Sequence, residues 1–169
     1  MNSSQDAEPV AAVHQHHLRI YFEDTDAGGI VYHANYLRYA ERGRSEALRG
    51  LGMPHAEMMR RHQRMFVVRR AKIDYERPAR LDDCLIVETR TLSLTGASVT
   101  LDQAIKRADG VLLVRIALLL ACVGVADGRA ARLPADMRAA LEKMRQAADP
   151  DRGLAVRHIT GGAAALEGF

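Results

Sequence analysis

The sequence is poor in the features that mark several protein classes. It has two cysteines, Cys84 and Cys122, each inside an apolar run, and neither sits in a CxxC pair or a Cys/His ligand spacing. That argues against a disulfide framework and a cysteine-based zinc site, and it fits a reducing, cytoplasmic compartment with both thiols buried and inert. Charge of one sign is scarce too: 24 basic against 21 acidic residues leave +3, with a pI near 9.1. This balance suits a phosphate-bearing ligand but not nucleic acid, which needs a dense basic stripe. The longest apolar run, Val111 to Val125, is interrupted by Arg115. It is too short to span a bilayer, so no stable membrane insertion is expected. Residues 1–16 have neither the basic head nor the apolar core of a signal peptide.

What is present reads as one domain. A chain of 169 residues buries about two-thirds of its unfolded surface. Residues 1–16 lack periodicity and are expected to be a loose tail. Residues 17–134 form the expected domain, and 135–169 a short C-terminal helix and tail. Leu18, Ile20 and Phe22 alternate, predicting a strand over His17–Phe22. Tyr36, Ala40, Gly43, Ala47 and Leu51 form one stripe of a helix over Asn35–Leu51, which Gly50, Gly52 and Pro54 end. Gly43 inside it costs about 1 kcal/mol relative to Ala, a cost that close approach to a packing neighbour would offset.

From Met65 the period becomes two, with Val67, Ala71, Ile73 and Tyr75 on one face and Arg70, Lys72, Asp74 and Glu76 on the other. Further strands are predicted at Cys84–Leu94, Ser98–Arg107 and Val111–Val125, joined by the hairpin signals "TGA" and "ADG". The last is apolar on both faces; a single helix covers one side of such a sheet, so a second subunit is expected on the other. A short helix follows, from Ala135 to about Ala147. The sum is an α+β domain, one long helix on a curved antiparallel sheet.

The chemistry concentrates in "YFEDTDAGGIVYHANYLRYAERGRSEAL", residues 21–48. Taken alone, Asp24, Thr25 and Asp26 read as a polar turn bonded to its own backbone. A metal-binding DxD would need companion carboxylates at liganding spacing, and none is present. Gly28 and Gly29 allow positive φ or close approach of a ligand. The helix starts within a few residues of His33, and its first N–H groups lack internal partners at the positive end of the dipole. A carboxylate beside such amides offers both attack and oxyanion stabilisation, while Asn35 reads as the N-cap.

These residues resemble the opening of the hot-dog-fold acyl-CoA thioesterases of the 4-hydroxybenzoyl-CoA thioesterase superfamily, nearest its YbgC-like branch associated with the Tol-Pal envelope system. The likeness rests on D-T-D-A-G-G-I-V-Y-H followed by N-Y, continues through "FVVRRAKIDYERPARLDDCLIVET", and covers residues 18–134. It implies a hot-dog fold, a homodimer or homotetramer with sites at subunit interfaces, and acyl-CoA hydrolysis without metal or cofactor. It implies Asp26 as the catalytic carboxylate, either nucleophile or general base, and His33 as the residue whose N–H polarises the thioester carbonyl. Tyr32 and Gly29 belong to the same motif and are candidates for substrate binding.

Related enzymes place a basic run in the turn before the fourth strand. Here that turn reads "LSLTGAS", so Arg69, Arg70 and Lys72, or Arg60, Arg61 and Arg64, are the candidates for the CoA phosphates. Acyl carrier protein, an acidic partner, would be drawn to the same basic surface. The alternative from another class is a non-catalytic scaffold that binds acyl thioesters or acyl carrier protein. His14, His16 and His17 have no companion ligands and are assigned no role.

Overall fold

A computed structural model describes residues 13–145. Its elements in chain order are β1 (His14–Arg19), a single 3-10 turn (Phe22–Asp24), α1 (Asn35–Gly50), α2 (His55–His62), β2 (Arg64–Tyr75), β3 (Cys84–Leu94), β4 (Ser98–Arg107), β5 (Leu112–Gly124) and α3 (Ala135–Glu142). The expected tail through residue 12, and everything from residue 146, lie outside the described residues. The strands form one antiparallel sheet in the order β1-β3-β4-β5-β2, with α1 packed on it, the hot-dog arrangement. Among the described residues no helix is long and apolar enough to cross a membrane.

α1 buries Tyr36, Tyr39, Ala40, Gly43, Arg44, Ala47 and Leu48, spaced for one helical face. Gly43 is where it comes closest to the sheet: a Cβ built there would lie 2.6 Å from Val87 Cγ1 on β3. The missing side chain therefore sets how deeply the helix sits. Beside it a buried polar bridge ties helix to sheet. Arg44 donates to Gln103 Oε1 at 2.9 Å and to Glu41, and Gln103 Nε2 donates to Ala40 O and Thr89 Oγ1, both at 2.9 Å. Burial first of all pulls the Arg44 guanidinium below its ordinary range, and Glu41 opposes that shift.

The structure corrects several sequence expectations. β1 begins at His14 and stops at Arg19, so Phe22 is not a strand residue; it is 81% exposed. The strand pattern fails there because Asp24 Oδ2 accepts the Tyr21 N–H (2.9 Å) and Thr25 N donates to Phe22 O, closing a turn. In β2 the register with β5 slips between Val68 and Arg70. That bulge at Arg69 swaps the faces, so Phe66 and Val68, rather than Val67, share the helix side with Ala71, Ile73 and Tyr75. α2 was not foreseen: it has eight residues and buries Met58 alone, too little for a visible period.

α3 ends at Glu142, short of the expected Ala147. Met144 N and Arg145 N donate three residues back, and Met144 O then accepts the Thr91 N–H, so the free edge of β3 captures the chain. Cys84 is half-buried and Cys122 buried.

Candidate active site

The loop before α1 is a small hairpin. Thr25 pairs with Val31, Asp26 N donates to Ile30 O (2.9 Å), and Tyr32 N donates to Asp24 O (2.9 Å). Val31 is buried and anchors the loop through its N–H to Ala79 O (2.9 Å), while Ile30 pairs with Arg80. Asp26 stands at the turn of this hairpin. Its Oδ1 accepts the Gly28 N–H at 2.8 Å, the self-capping that turn aspartates make. Oδ2 has no hydrogen-bond partner among the described residues, and the side chain is exposed. A Cβ at position 28 would lie 3.0 Å from Asp26 Oδ1, and Gly29 has φ +72°, so both glycines shape the turn around the carboxylate.

The hairpin is tied to the helix start. Asn35 is not the N-cap: Ala34 holds that position, already in helical conformation and without a side-chain cap. Asn35 instead reaches back, its Nδ2 donating to Asp24 O at 3.0 Å. Asp24 therefore links the 3-10 turn through its carboxylate to the hairpin and α1 through its carbonyl. With no capping side chain, the N–H groups of His33, Ala34 and Tyr36 have no acceptor among the described residues; Asn35 N donates to Tyr32 O. Tyr75 Oη donates to His33 O at 3.2 Å, which orients the same planar peptide unit that carries the Ala34 N–H.

A cleft of about 290 Å³ opens beside these amides, lined by Ile30, His33, Tyr36, Tyr75, Arg77 and Pro78 among others. The His33 ring stands 4.5 Å from that of Tyr32 and 6.4 Å from that of Tyr75, between centroids. Tyr36 Oη accepts the Ala79 N–H at 2.8 Å. Burial raises the Tyr36 hydroxyl above its usual range, partly offset by that hydrogen bond. Burial, then the nearby Asp24 carboxylate, raises Tyr39 further. Both phenols stay neutral; Tyr36 forms a wall of the cleft, and Tyr39 lies in the core behind it.

Of the residues singled out from the sequence, Asp24, Asp26, Gly29, Tyr32 and His33 come together in this hairpin and helix start. His33 lines the cleft and Asp26 stands on the turn outside its lining. Arg70 and Lys72 belong to the face of β2 turned away from α1, and Arg69 occupies the bulge. Arg60 and Arg61 pair with Glu57 on α2. Sequence reasoning missed Tyr36, Tyr75 and Arg77 as cleft residues. Alternation puts Tyr75 on one face of its strand with Ala71 and Ile73, and as the last residue of β2 it is 49% exposed.

Comparison with known proteins places these features in a family. Residues 20–141 match the model of the thioesterase-like superfamily. The acyl-CoA thioesterase YbgC of Haemophilus influenzae is 38% identical over 128 residues, 76% of this chain and 93% of that protein. The acyl-CoA thioester hydrolase YbgC of Escherichia coli is 42% identical over 106 residues, 63% of this chain and 78% of that one. Among solved structures, a probable thioesterase from Bartonella henselae superposes with a TM-score of 0.69 at 37% identity, covering 73% of this chain and all of its own.

Proposed function

This chain belongs to the thioesterase-like superfamily, and from that premise we propose that it is an acyl-CoA thioesterase in which Asp26 attacks a carbonyl held by the first turn of α1. One observation carries the assignment of roles: three backbone N–H groups at residues 33, 34 and 36 are unpaired among the described residues beside a cleft, and the hairpin leading into them carries a carboxylate with one oxygen tethered and the other unpartnered. A thioester needs little more, because its carbonyl is electrophilic and thiolate leaves readily.

Attack by Asp26 forms an O–C bond and moves the carbonyl electrons onto oxygen, where the helix-start amides receive the charge. One such donor is worth about 3–4 kcal/mol in other enzymes. Collapse breaks the C–S bond and expels the CoA thiolate, which takes up a proton, with the His33 imidazole in the cleft to assist. Water then cleaves the mixed anhydride, releasing the acid and restoring the carboxylate. If Asp26 instead activates water as general base, the same geometry serves and the contribution is about 10²–10⁴-fold.

Asp26 is exposed and outside the lining of this chain's cleft, so the reading includes a second copy. Among the described residues β2 is an edge strand of twelve residues with Val68 and Tyr75 half exposed, an edge of the kind proteins cover. A homodimer across this region, or a tetramer of such dimers, closes the site over Asp26. Arg77 lines this chain's own cleft, whereas Arg69, Arg70 and Lys72 serve the CoA phosphates only for a ligand lying across the β2 edge.

The test is release of free thiol from a series of acyl-CoAs. Wild type turns over, and Asp26→Asn loses at least about a hundredfold in kcat while keeping its oligomeric state. Equal rates remove Asp26 from the mechanism. No thiol release with any acyl chain, alongside binding of acyl-CoA or acyl carrier protein, replaces the enzyme with a scaffold.

A further inference from the structure

The hairpin that carries Asp26 has two arms, and they are anchored differently. The returning arm is fixed to the loop before β3, through Val31 N donating to Ala79 O at 2.9 Å and Ile30 pairing with Arg80. The outgoing arm, residues 24–26, bears the carboxylate and makes no backbone hydrogen bond to a sheet strand among the described residues. A two-stranded hairpin is marginally stable by itself. The place of Asp26 therefore depends on what holds this arm.

Asp24 holds it. Its Oδ2 accepts the Tyr21 N–H at 2.9 Å. Its carbonyl accepts twice, from Tyr32 N–H across the hairpin (2.9 Å) and from Asn35 Nδ2 on α1 (3.0 Å), which occupies both lone pairs. Among the described residues the Asn35 bond is the one hydrogen bond from this arm to α1. At i+4 on the same side of the helix, the buried Tyr39 hydroxyl lies near the Asp24 carboxylate but has no hydrogen-bond partner among the described residues. Asn35 also brackets the free amides: its own N–H donates to Tyr32 O, with the unpaired N–H groups of His33 and Ala34 before it and that of Tyr36 after it.

We propose that Asn35 is a positioning residue for the reaction, its bond to Asp24 O setting the carboxylate-bearing arm at a fixed distance from the helix-start amides. This rests on the thioesterase reading with Asp26 as the attacking group. Asn35 acts through Asp24, which is joined to Asp26 by the extended Thr25. A displacement of about 1 Å at a reacting group costs about a hundredfold in rate, so loosening this tie shows in kcat. Asn35 is absent from the lining of the cleft, so KM is little affected. Alanine is the better helix former, so removing the amide does not weaken α1, and rate and stability separate.

The experiment is a kinetic cycle over Asn35→Ala and Asp26→Asn in the full chain, reading thiol release from acyl-CoA, with urea unfolding and oligomeric state as controls. Asn35→Ala lowers kcat at least about tenfold, shifts KM less than about threefold and keeps the wild-type urea midpoint. In the Asp26→Asn protein, where no carboxylate is left to aim, the same change lowers the residual rate less than about twofold. An unchanged kcat in Asn35→Ala overturns the proposal. So does its full loss repeated on top of Asp26→Asn, which makes Asn35 independent of the carboxylate. A kcat loss matched by a lower urea midpoint overturns it too, because the role is then only structural. Each of these leaves the reading of Asp26 intact. Wild type without turnover, or Asp26→Asn at the wild-type rate, removes that reading and the positioning role with it.

Discussion

Gly43→Ala adds a single methyl where α1 meets the sheet. The new Cβ would lie 2.6 Å from Val87 Cγ1 and 3.1 Å from Val87 Cβ, well inside van der Waals contact. Val87 is completely buried, and β3 is paired on both sides, by β1 and β4, so neither partner yields easily. Forcing an extra methyl into such a contact costs about 1–3 kcal/mol. Alanine returns about 1 kcal/mol of helix propensity. With the packing cost in the upper half of its range, the net loss is about 1–2 kcal/mol. The assay is urea unfolding followed by circular dichroism at fixed protein concentration, since assembly contributes to apparent stability. A double-mutant cycle sharpens it: Val87→Ala removes the Cγ1 methyl that stands closest, leaving only Cβ at 3.1 Å, so the pair should be at least about 1 kcal/mol more stable than the sum of the single changes implies. A Gly43→Ala protein as stable as wild type, or more so, would show that propensity alone governs the position and that the helix is not seated by contact with Val87.

Three further outcomes follow from the site and its surroundings. Tyr75→Phe removes the hydrogen bond to His33 O while keeping the ring, so kcat should fall several-fold with KM little changed and stability altered by less than about 1 kcal/mol; an unchanged kcat would free the Ala34 peptide from this constraint. Tyr39 holds its proton more tightly when folded, through burial and the Asp24 carboxylate. Its contribution to stability is therefore complete below the unfolded tyrosine pKa of about 10 and declines as pH rises above it, so Tyr39→Phe should flatten the alkaline loss seen in denaturation at stepped pH. Burial also raises the Cys122 thiol, so a thiol reagent should reach half-buried Cys84 first and Cys122 only on unfolding; equal rates would contradict the buried placement.

The parts of the fold legible in the sequence were those whose determinants are local. β3 and β4 were bounded residue for residue because runs rich in apolar and β-branched residues lie between turn signals, although β3 carries a bulge between Thr91 and Ser93 and β4 is buried almost throughout. α1 was placed to within a residue because its small and aromatic positions repeat at helical spacing. What failed depended on partners. The Leu18, Ile20, Phe22 alternation continues past the point where the chain bends at Tyr21. A bulge reverses faces without any mark in residue type at Arg69, and α2 buries Met58 alone, held otherwise by polar contacts such as the Glu57 pairs and His62 with Asp136 of α3. The Asp26–Gly28–His33 stretch declared itself by density of motif. The walls of its cleft did not, since Tyr75, Arg77 and Pro78 approach it from a strand end some forty residues away in sequence. Asn35, a natural N-cap by type, is diverted to Asp24 O because the preceding turn is already helical.

The most direct measurement is a crystal structure of the Asp26→Asn protein bound to a non-hydrolysable acyl-CoA analogue that retains the carbonyl. The expected result places that oxygen about 2.7–3.1 Å from one or more of the N–H groups of His33, Ala34 and Tyr36, with the side chain at position 26 facing the carbonyl carbon from this chain or its neighbour. A carbonyl bound elsewhere, or a residue 26 pointing into open solvent in every subunit, would contradict the pairing of carboxylate and helix start.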